Sequence, residues 1–124
     1  MLYTGIDLLE INRIAESIKN PRFTARVFSA VEREYFAAQK NPAPSMAACF
    51  AAKEAFSKAL GTGVRGFKLC EVSVEHDALG APHFVFTGAA KEIVGRRGLT
   101  FSLSLTHTDT IAAAFVVATD GKQD

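Results

Sequence analysis

A strict alternation runs through Leu99-Thr100-Phe101-Ser102-Leu103-Ser104-Leu105-Thr106. Large apolar and hydroxyl-bearing side chains take turns along it, which is the period-2 pattern of a strand with one buried face. After a predicted turn at His107–Thr110, the almost continuously apolar segment Ile111–Thr119 predicts the partner strand of a hairpin. Because Ala112–Val117 lacks polar alternation, we expect the last strand to be buried on both faces. Either a second copy of the chain or a helix would then cover its outer face.

Upstream of this hairpin the pattern is mainly helical. The expected elements are a strand at Leu2–Leu8, a helix carrying Ile11, Ile14 and Ile18 up to Asn20-Pro21, a turn or short helix with Phe23, Val27 and Phe28, a helix opened by a Ser29/Glu32 capping box, a helix capped by Ser45 and running to Leu60, a hairpin of Glu71–Glu75 with Phe84–Phe86, and a helix at Gly88–Arg97. Helices come early and antiparallel strands late. The prediction is an α+β fold, with an N-terminal strand and helices followed by a small antiparallel sheet.

Length and composition predict a single domain spanning residues 1–124. Fourteen basic and thirteen acidic side chains leave a formal charge of +1, which argues against a nucleic-acid binder. The longest apolar run, Ile111–Ala118, is far shorter than the ~20 residues that cross a bilayer, so we expect no membrane insertion. Asp7 and Glu10 interrupt any apolar stretch of a signal peptide, and Cys49 and Cys70 form no disulfide framework. We therefore expect a cytoplasmic protein.

The near-neutral total conceals a basic region. Between Arg13 and Lys40 there are six basic and three acidic side chains, so this stretch carries a charge of +3. A local basic face suits an acidic protein partner or a phosphorylated ligand. The alternative is an ordinary solvated helix face.

Two segments carry acidic residues in positions that suit chemistry. Asp7 stands among large apolar residues, where a carboxylate needs a cation or a donor, unless it caps the helix that follows. Glu54 and Lys58 are four residues apart on one helix face, which predicts either a surface ion pair or a site for Mg²⁺ and phosphate. Gly61 follows that helix and either stops it or lets backbone N–H groups approach a phosphate.

A third segment, Ser102–Thr108, places hydroxyl groups and the imidazole of His107 at the mouth of the predicted hairpin, where a ligand could be held. His76 and His83 flank the preceding turn and have the character of surface residues. The three histidines lack the spacing of a zinc site. A serine–histidine–aspartate triad is also disfavoured, since no strand–turn–helix elbow is present.

Three ordered blocks together are more specific than each alone. They are Gly5-Ile6-Asp7 with Arg13-Ile14 downstream, Phe50-Ala51-Ala52-Lys53-Glu54-Ala55 with Lys58-Ala59, and Ser104 with His107-Thr108 before an alanine-rich strand. With Phe23–Phe28 and the Gly80-Ala81-Pro82 turn, they extend over nearly the whole chain. The sequence resembles the holo-acyl-carrier-protein synthases, the small type of 4′-phosphopantetheinyl transferase.

The resemblance implies a fold of the 4′-phosphopantetheinyl transferase type and a Mg²⁺-dependent reaction. In that reaction the 4′-phosphopantetheine group of coenzyme A moves onto a serine of apo-acyl carrier protein, and adenosine 3′,5′-bisphosphate leaves. Asp7 and Glu54 match the metal-binding acids, and Glu54 and Lys58 match the catalytic pair. The positions matching coenzyme A contacts are Lys58, Gly61, His107 and Thr108. Among them, His107 would contact the 3′-phosphate.

The resemblance also implies partners and shows departures. A homotrimer with active sites between subunits is expected, with the acidic carrier docking on Arg13, Arg22 and Arg26. Cys49 stands where an arginine is usual, which shifts the grip on the nucleotide toward Lys40, Arg65 or His107, and Thr106 stands where serine is usual. The alternative function is a non-catalytic module that binds coenzyme A or the carrier.

Overall fold

A computed structural model describes residues 1–121, so the last three residues of the expected 1–124 domain lie outside the described part. The elements follow in the order β1 (Leu2–Glu10), α1 (Ile11–Ser17), α2 (Pro21–Val27), α3 (Ala30–Ala37), α4 (Ala43–Leu60), a 3₁₀ turn (Leu69–Glu71), β2 (Val72–His76), β3 (Pro82–Phe86), α5 (Gly88–Arg97), β4 (Thr100–His107) and β5 (Ile111–Thr119). The α+β prediction is confirmed.

The larger sheet has three strands in the order β1-β5-β4, and both pairings are antiparallel. Its register places Asp7 opposite Ala114 and His107 opposite Ala112. The second sheet is the β2–β3 hairpin, in which Val74 pairs with Phe84. The first and last strands therefore pair in one sheet, with β1 at its edge and the predicted hairpin of β4 and β5 beside it.

Helix α4 lies across the inner face of the larger sheet, and small side chains allow the close packing. Six of its alanines are almost or fully buried: Ala47, Ala48, Ala51, Ala52, Ala55 and Ala59. On the strand side the contact point is Gly5, where a Cβ atom would lie 1.8 Å from the Ala55 carbonyl oxygen. Since any side chain there would collide with helix backbone, Gly5 sets how near β1 comes to α4.

Substituting Gly5→Ala is expected to destabilise the protein by about 3 kcal/mol or more, because the neighbour is backbone and cannot rotate away. The measurement is urea unfolding at fixed protein concentration. The matched control is Gly95→Ala within α5, where an added Cβ meets nothing within 4 Å. That control is expected to stabilise by about 0.5–1 kcal/mol, since alanine is the better helix former. Equal stabilities of the two variants would contradict the close approach.

One local prediction is wrong. Helix α4 begins at Ala43, after Pro42, and not at Ser45, whose hydroxyl donates instead to Gln39 Oε1 at 2.9 Å. Pro44 fits the first turn of this helix because the backbone nitrogen there needs no hydrogen-bonding proton.

The last strand is not buried on both faces within one chain. Along β5 the inward residues, Ala112, Ala114, Val116 and Ala118, are buried, whereas Phe115 on the other face is 44% exposed. On the neighbouring β1, Ile6 and Leu8 are 62% and 67% exposed. The apolar run therefore reflects an outer sheet face that the chain itself does not cover. Within the described residues, no helix combines the length and apolarity needed to cross a membrane.

Candidate active site

The packing of β1 on α4 brings Asp7 to Lys58. Side chains alternate along β1, so Gly5 and Asp7 face the helix together. Lys58 Nζ lies 3.1 Å from Asp7 Oδ1 and also donates to the Ile6 carbonyl oxygen at 2.9 Å. Lys58 thus contacts both the backbone of the edge strand β1 and the carboxylate of Asp7.

This geometry settles two alternatives that the sequence left open. Asp7 is not a helix cap, because it lies inside β1, and the cap position of α1 is Glu10. The ion pair expected between Glu54 and Lys58 is replaced by the pair between Asp7 and Lys58. Spacing along one helix could not reveal this, since the competing acid comes from a strand 51 residues away.

The surroundings of Glu54 disfavour the charged form of its carboxyl group. Partial burial raises the pKa of its carboxyl, the charge of Asp7 raises it further, and Lys58 opposes both effects. Two carboxylates share one lysine, so the group carries a net negative charge when both acids are ionised. A cation placed between them would relieve the repulsion.

Asp7 and Glu54 line one cleft of about 350 Å³, together with Arg13, Phe23 and Phe50. The two phenylalanine rings contribute an apolar wall, with their centroids 6.0 Å apart. The cleft therefore offers a negatively charged centre, a guanidinium group and an apolar surface side by side. Such a mixture suits a ligand that brings both a metal-bound phosphate group and apolar parts.

The donor set fits Mg²⁺. Carboxylate oxygens are its preferred protein ligands, and it is commonly held by one or two carboxylates plus substrate phosphates and water. Across residues 1–121 there is no group of three or more histidine, cysteine or acidic residues that could hold a metal without such help. Asp7 and Glu54 would therefore hold the ion together with a phosphate-bearing substrate.

His107 lies elsewhere. It lines a second pocket, of about 130 Å³, with Cys49, His76 and Thr106, and no residue lines both this pocket and the cleft of Asp7 and Glu54. Within one chain, His107 is thus not brought to the acids.

The remaining residues predicted to contact coenzyme A, Gly61 and Thr108, lie apart from the cleft of Asp7 and Glu54. Gly61 ends α4 with φ of 82° and lines a hollow with Arg65 and Arg97. The Thr108 hydroxyl oxygen accepts from the backbone N–H of Thr110 and Ile111, so it holds the β4–β5 turn together.

The three arginines expected to dock a partner separate into different places. Arg13 lines the acid cleft, and Arg22 stands in the first turn of α2, where its backbone N–H donates to Asn20 Oδ1. Arg26, at the other end of α2, lines a hollow with Lys68. Only Arg13 therefore borders the acids directly.

Sequence reasoning missed a buried charge network beside the site. Lys53 and Glu32 are both fully buried, with Lys53 Nζ 2.8 Å from Glu32 Oε1. Lys53 also donates to the carbonyl oxygens of Leu69 and Val72, and Glu32 accepts from Cys49 and the Val74 N–H. The sequence signal was the position of Lys53 on the alanine-rich face of α4.

The structure thus combines an α+β scaffold, in which an alanine-faced helix crosses a three-stranded sheet, with a strand acid and a helix acid in one cleft. The 4′-phosphopantetheinyl transferase superfamily model matches residues 3–115. The holo-[acyl-carrier-protein] synthase of Caldanaerobacter subterraneus subsp. tengcongensis is 38% identical over 123 residues, covering 98% of this chain and 97% of that protein. The chain belongs to the 4′-phosphopantetheinyl transferase superfamily.

Solved structures agree with this assignment. The crystal structure of holo-[acyl-carrier-protein] synthase from Neisseria meningitidis superposes with a TM-score of 0.88 at 35% identity, covering 94% of this chain and 97% of that one. A holo-(acyl-carrier-protein) synthase from Bacillus anthracis in complex with CoA (3′,5′-ADP) gives 0.80 at 30% identity, with 94% of each chain covered. The fold and enzyme class predicted from sequence are confirmed.

Proposed function

We propose that the cleft of Asp7 and Glu54 transfers 4′-phosphopantetheine from coenzyme A to a serine of apo-acyl carrier protein, with Mg²⁺ held by the two acids. The observation that carries this is the meeting of a strand carboxylate and a helix carboxylate around one lysine in an open cleft. The test is the mass of an apo-carrier incubated with coenzyme A, in Mg²⁺ and in EDTA. We also infer a cytoplasmic location, where coenzyme A is available as co-substrate.

Glu54 is the residue placed to move the proton. In the reaction the carrier serine oxygen bonds to the phosphorus of phosphopantetheine, and the bond from that phosphorus to the adenosine 3′,5′-bisphosphate oxygen breaks. The serine proton passes to Glu54, whose carboxylate lines the cleft and would act as the general base. When bound, Mg²⁺ would neutralise charge on the diphosphate and orient it.

Lys58 and Asp7 complete the arrangement. Lys58 Nζ, which donates a hydrogen bond to Asp7 Oδ1, would supply the cation that charge on the leaving diphosphate needs. Its side chain is about half exposed, so it remains accessible to a ligand. Asp7 would share the metal with Glu54, and its own bond to Lys58 keeps it aimed at the cleft.

The separation of His107 from the acids supports a site shared between subunits. The outer sheet face exposes large apolar side chains on adjacent strands, namely Ile6, Leu8 and Phe115. Such a patch marks a protein interface. A homotrimer packed through this face would let the His107 of one copy serve the cleft of the next, since a single chain keeps them on separate pockets.

Arg13→Glu is expected to raise the KM for the carrier by about tenfold or more while the KM for coenzyme A stays within twofold. The reason is that Arg13 borders the cleft where an acidic carrier presents its serine, and charge reversal turns steering attraction into repulsion. The measurement is initial-rate kinetics at two salt concentrations, because the wild-type carrier KM should rise with salt. The control is Lys91→Glu on α5, outside the cleft. A parallel rise of both KM values would contradict the placement.

A further inference from the structure

The last turn of α4 carries Lys58, and a residue from another helix closes that turn. Leu60 is the last residue of α4, so its carbonyl oxygen has no partner within the helix. Residues 61–68, which follow, form no helix or strand that could support this end. The donor is Arg97 of α5, whose Nη1 lies 2.8 Å from the Leu60 carbonyl oxygen. Fraying of this turn would move Lys58, which lies only two residues before Leu60.

The same guanidinium group also lies against β1. Its Cζ atom is 5.2 Å from the centroid of the Tyr3 ring, within the range of a cation–π contact. Tyr3 shares the inner face of β1 with Gly5 and Asp7. Arg97 therefore contacts both elements whose packing brings Lys58 to Asp7.

Arg97 projects from a helix that is firmly held. At the start of α5, the carboxylate of Glu71 accepts from the Ala89 N–H at 3.2 Å. Ala90 is fully buried in an apolar cluster, and Ile93 packs against the same cluster. Arg97 is itself half-buried. Its position is thus set by the core and not by the irregular chain after α4.

The contact between Lys58 and β1 needs a support that takes no part in the reaction. Lys58 has three N–H donors, and two of them are used on the Ile6 carbonyl oxygen and on Asp7. In the proposed reaction Lys58 also meets the leaving diphosphate and Asp7 also meets Mg²⁺, so their bond to each other weakens as the site fills. Arg97 does not line the cleft of Asp7 and Glu54, so neither ligand competes for it.

We propose that Arg97 is a positioning residue for phosphopantetheine transfer, which holds Lys58 in place by closing the last turn of α4 and stacking on Tyr3. It touches no reacting group and acts through Lys58. The inference rests on the proposed function, because that function assigns the leaving diphosphate to Lys58. The neighbouring Arg96, also in the last turn of α5, is exposed and provides a direct comparison.

Arg97→Met is expected to lower kcat by about tenfold or more at saturating coenzyme A and carrier, because a small displacement of a charged group near the reacting atoms is costly. The KM for the carrier should stay within about twofold, since Arg13 in the cleft is untouched. The matched control, Arg96→Met, loses the same charge from the same helix and should keep the wild-type kcat. An Arg97→Met protein that matches this control would overturn the proposal.

A conservative variant tests the two contacts of the guanidinium group. Arg97→Lys should recover most of the lost kcat, because an ammonium group can also donate to the Leu60 carbonyl oxygen and lie over the Tyr3 ring. Thermal unfolding checks that each variant is folded. Tyr3→Leu removes the ring under the guanidinium group, should lower kcat in the same direction, and serves if Arg97→Met fails to fold.

A double-variant cycle separates positioning of Lys58 from a general loss of stability. Lys58→Met removes the group that Arg97 holds, so adding Arg97→Met to it should lower kcat by less than about twofold more. If the two losses multiply instead, Arg97 does not act through Lys58 and the proposal is wrong.

Amide hydrogen exchange tests the contact without any transfer. The N–H groups of residues 58–61 should exchange several-fold faster in Arg97→Met than in the wild type, while Arg96→Met exchanges as the wild type does. Equal exchange in the three proteins would overturn the proposal. Failure of the proposed function differs from this, because a wild type that transfers nothing refutes the reaction itself. An active wild type with an unaffected Arg97→Met refutes only the role of Arg97.

Discussion

Glu54→Gln is expected to lower the rate of phosphopantetheine transfer by about 10³-fold or more, because the variant loses both a base and a metal ligand. The fold should survive, since the substitution removes the repulsion between Glu54 and Asp7 that raises the pKa of Glu54. The measurements are single-turnover transfer to an apo-carrier and urea unfolding of the same preparation. The unfolding free energy should equal or slightly exceed that of the wild type.

The matched control for this experiment is Glu16→Gln. Glu16 is an exposed acid on α1, paired with Lys19 at the surface, so its neutralisation changes the net charge equally without touching the cleft. Transfer by this control should stay near the wild-type rate. Near-normal transfer by Glu54→Gln would show that the proton passes elsewhere and would remove Glu54 from the site.

Lys53→Met is expected to lower the free energy of unfolding strongly, whereas Glu54→Gln leaves it almost unchanged. Removing Lys53 leaves Glu32 as a buried charge without its partner, and breaking a buried pair in this way costs about 3–5 kcal/mol. Two backbone carbonyls, of Leu69 and Val72, also lose their donor. Urea unfolding at one fixed protein concentration measures the loss, because an oligomer's stability depends on concentration.

Two further variants separate charge from packing. The double variant Lys53→Met with Glu32→Gln removes both charges and should recover part of the lost stability, since no ion remains buried alone. Lys58→Met, five residues along the same helix, should cost less than about 1 kcal/mol, because its pair with Asp7 is partly exposed, while transfer is strongly reduced. Equal stabilities of Lys53→Met and Lys58→Met would contradict the buried network.

The sequence predicted most of the elements because their signals are local. The capping box at Ser29 and Glu32 is present as expected, and the alternation from Thr100 appears as β4. The error at Ser45 has a local cause too, since a proline in the first turn competes with a serine cap. The continuous apolar run of β5 left open whether a helix or a second copy covers the outer face. No helix of the described chain covers it, so only the second copy remains as a prediction.

The site was predictable as a set of residues but not as a set of contacts. The motif pattern selected Asp7, Glu54 and Lys58. The two acids line one cleft, and Lys58 pairs with Asp7. Which acid pairs with Lys58 depends on how closely β1 approaches α4. Gly5 allows this close approach to Ala55, which lies 50 residues further along the chain. The role of Lys53 is hidden from the sequence for the same reason. Its partner Glu32 comes from another helix, where the capping box alone accounts for an acid at that position.

The central claim is tested most directly by the intact mass of an apo-acyl carrier protein incubated with this protein and coenzyme A, in Mg²⁺ and in EDTA. The account predicts a gain equal to one phosphopantetheine group in Mg²⁺ and none in EDTA. An unchanged carrier mass in Mg²⁺, with the same carrier modified by a known transferase, would contradict it and favour a module that binds coenzyme A or the carrier without reaction. A full gain in EDTA would contradict the role of Asp7 and Glu54 as metal ligands.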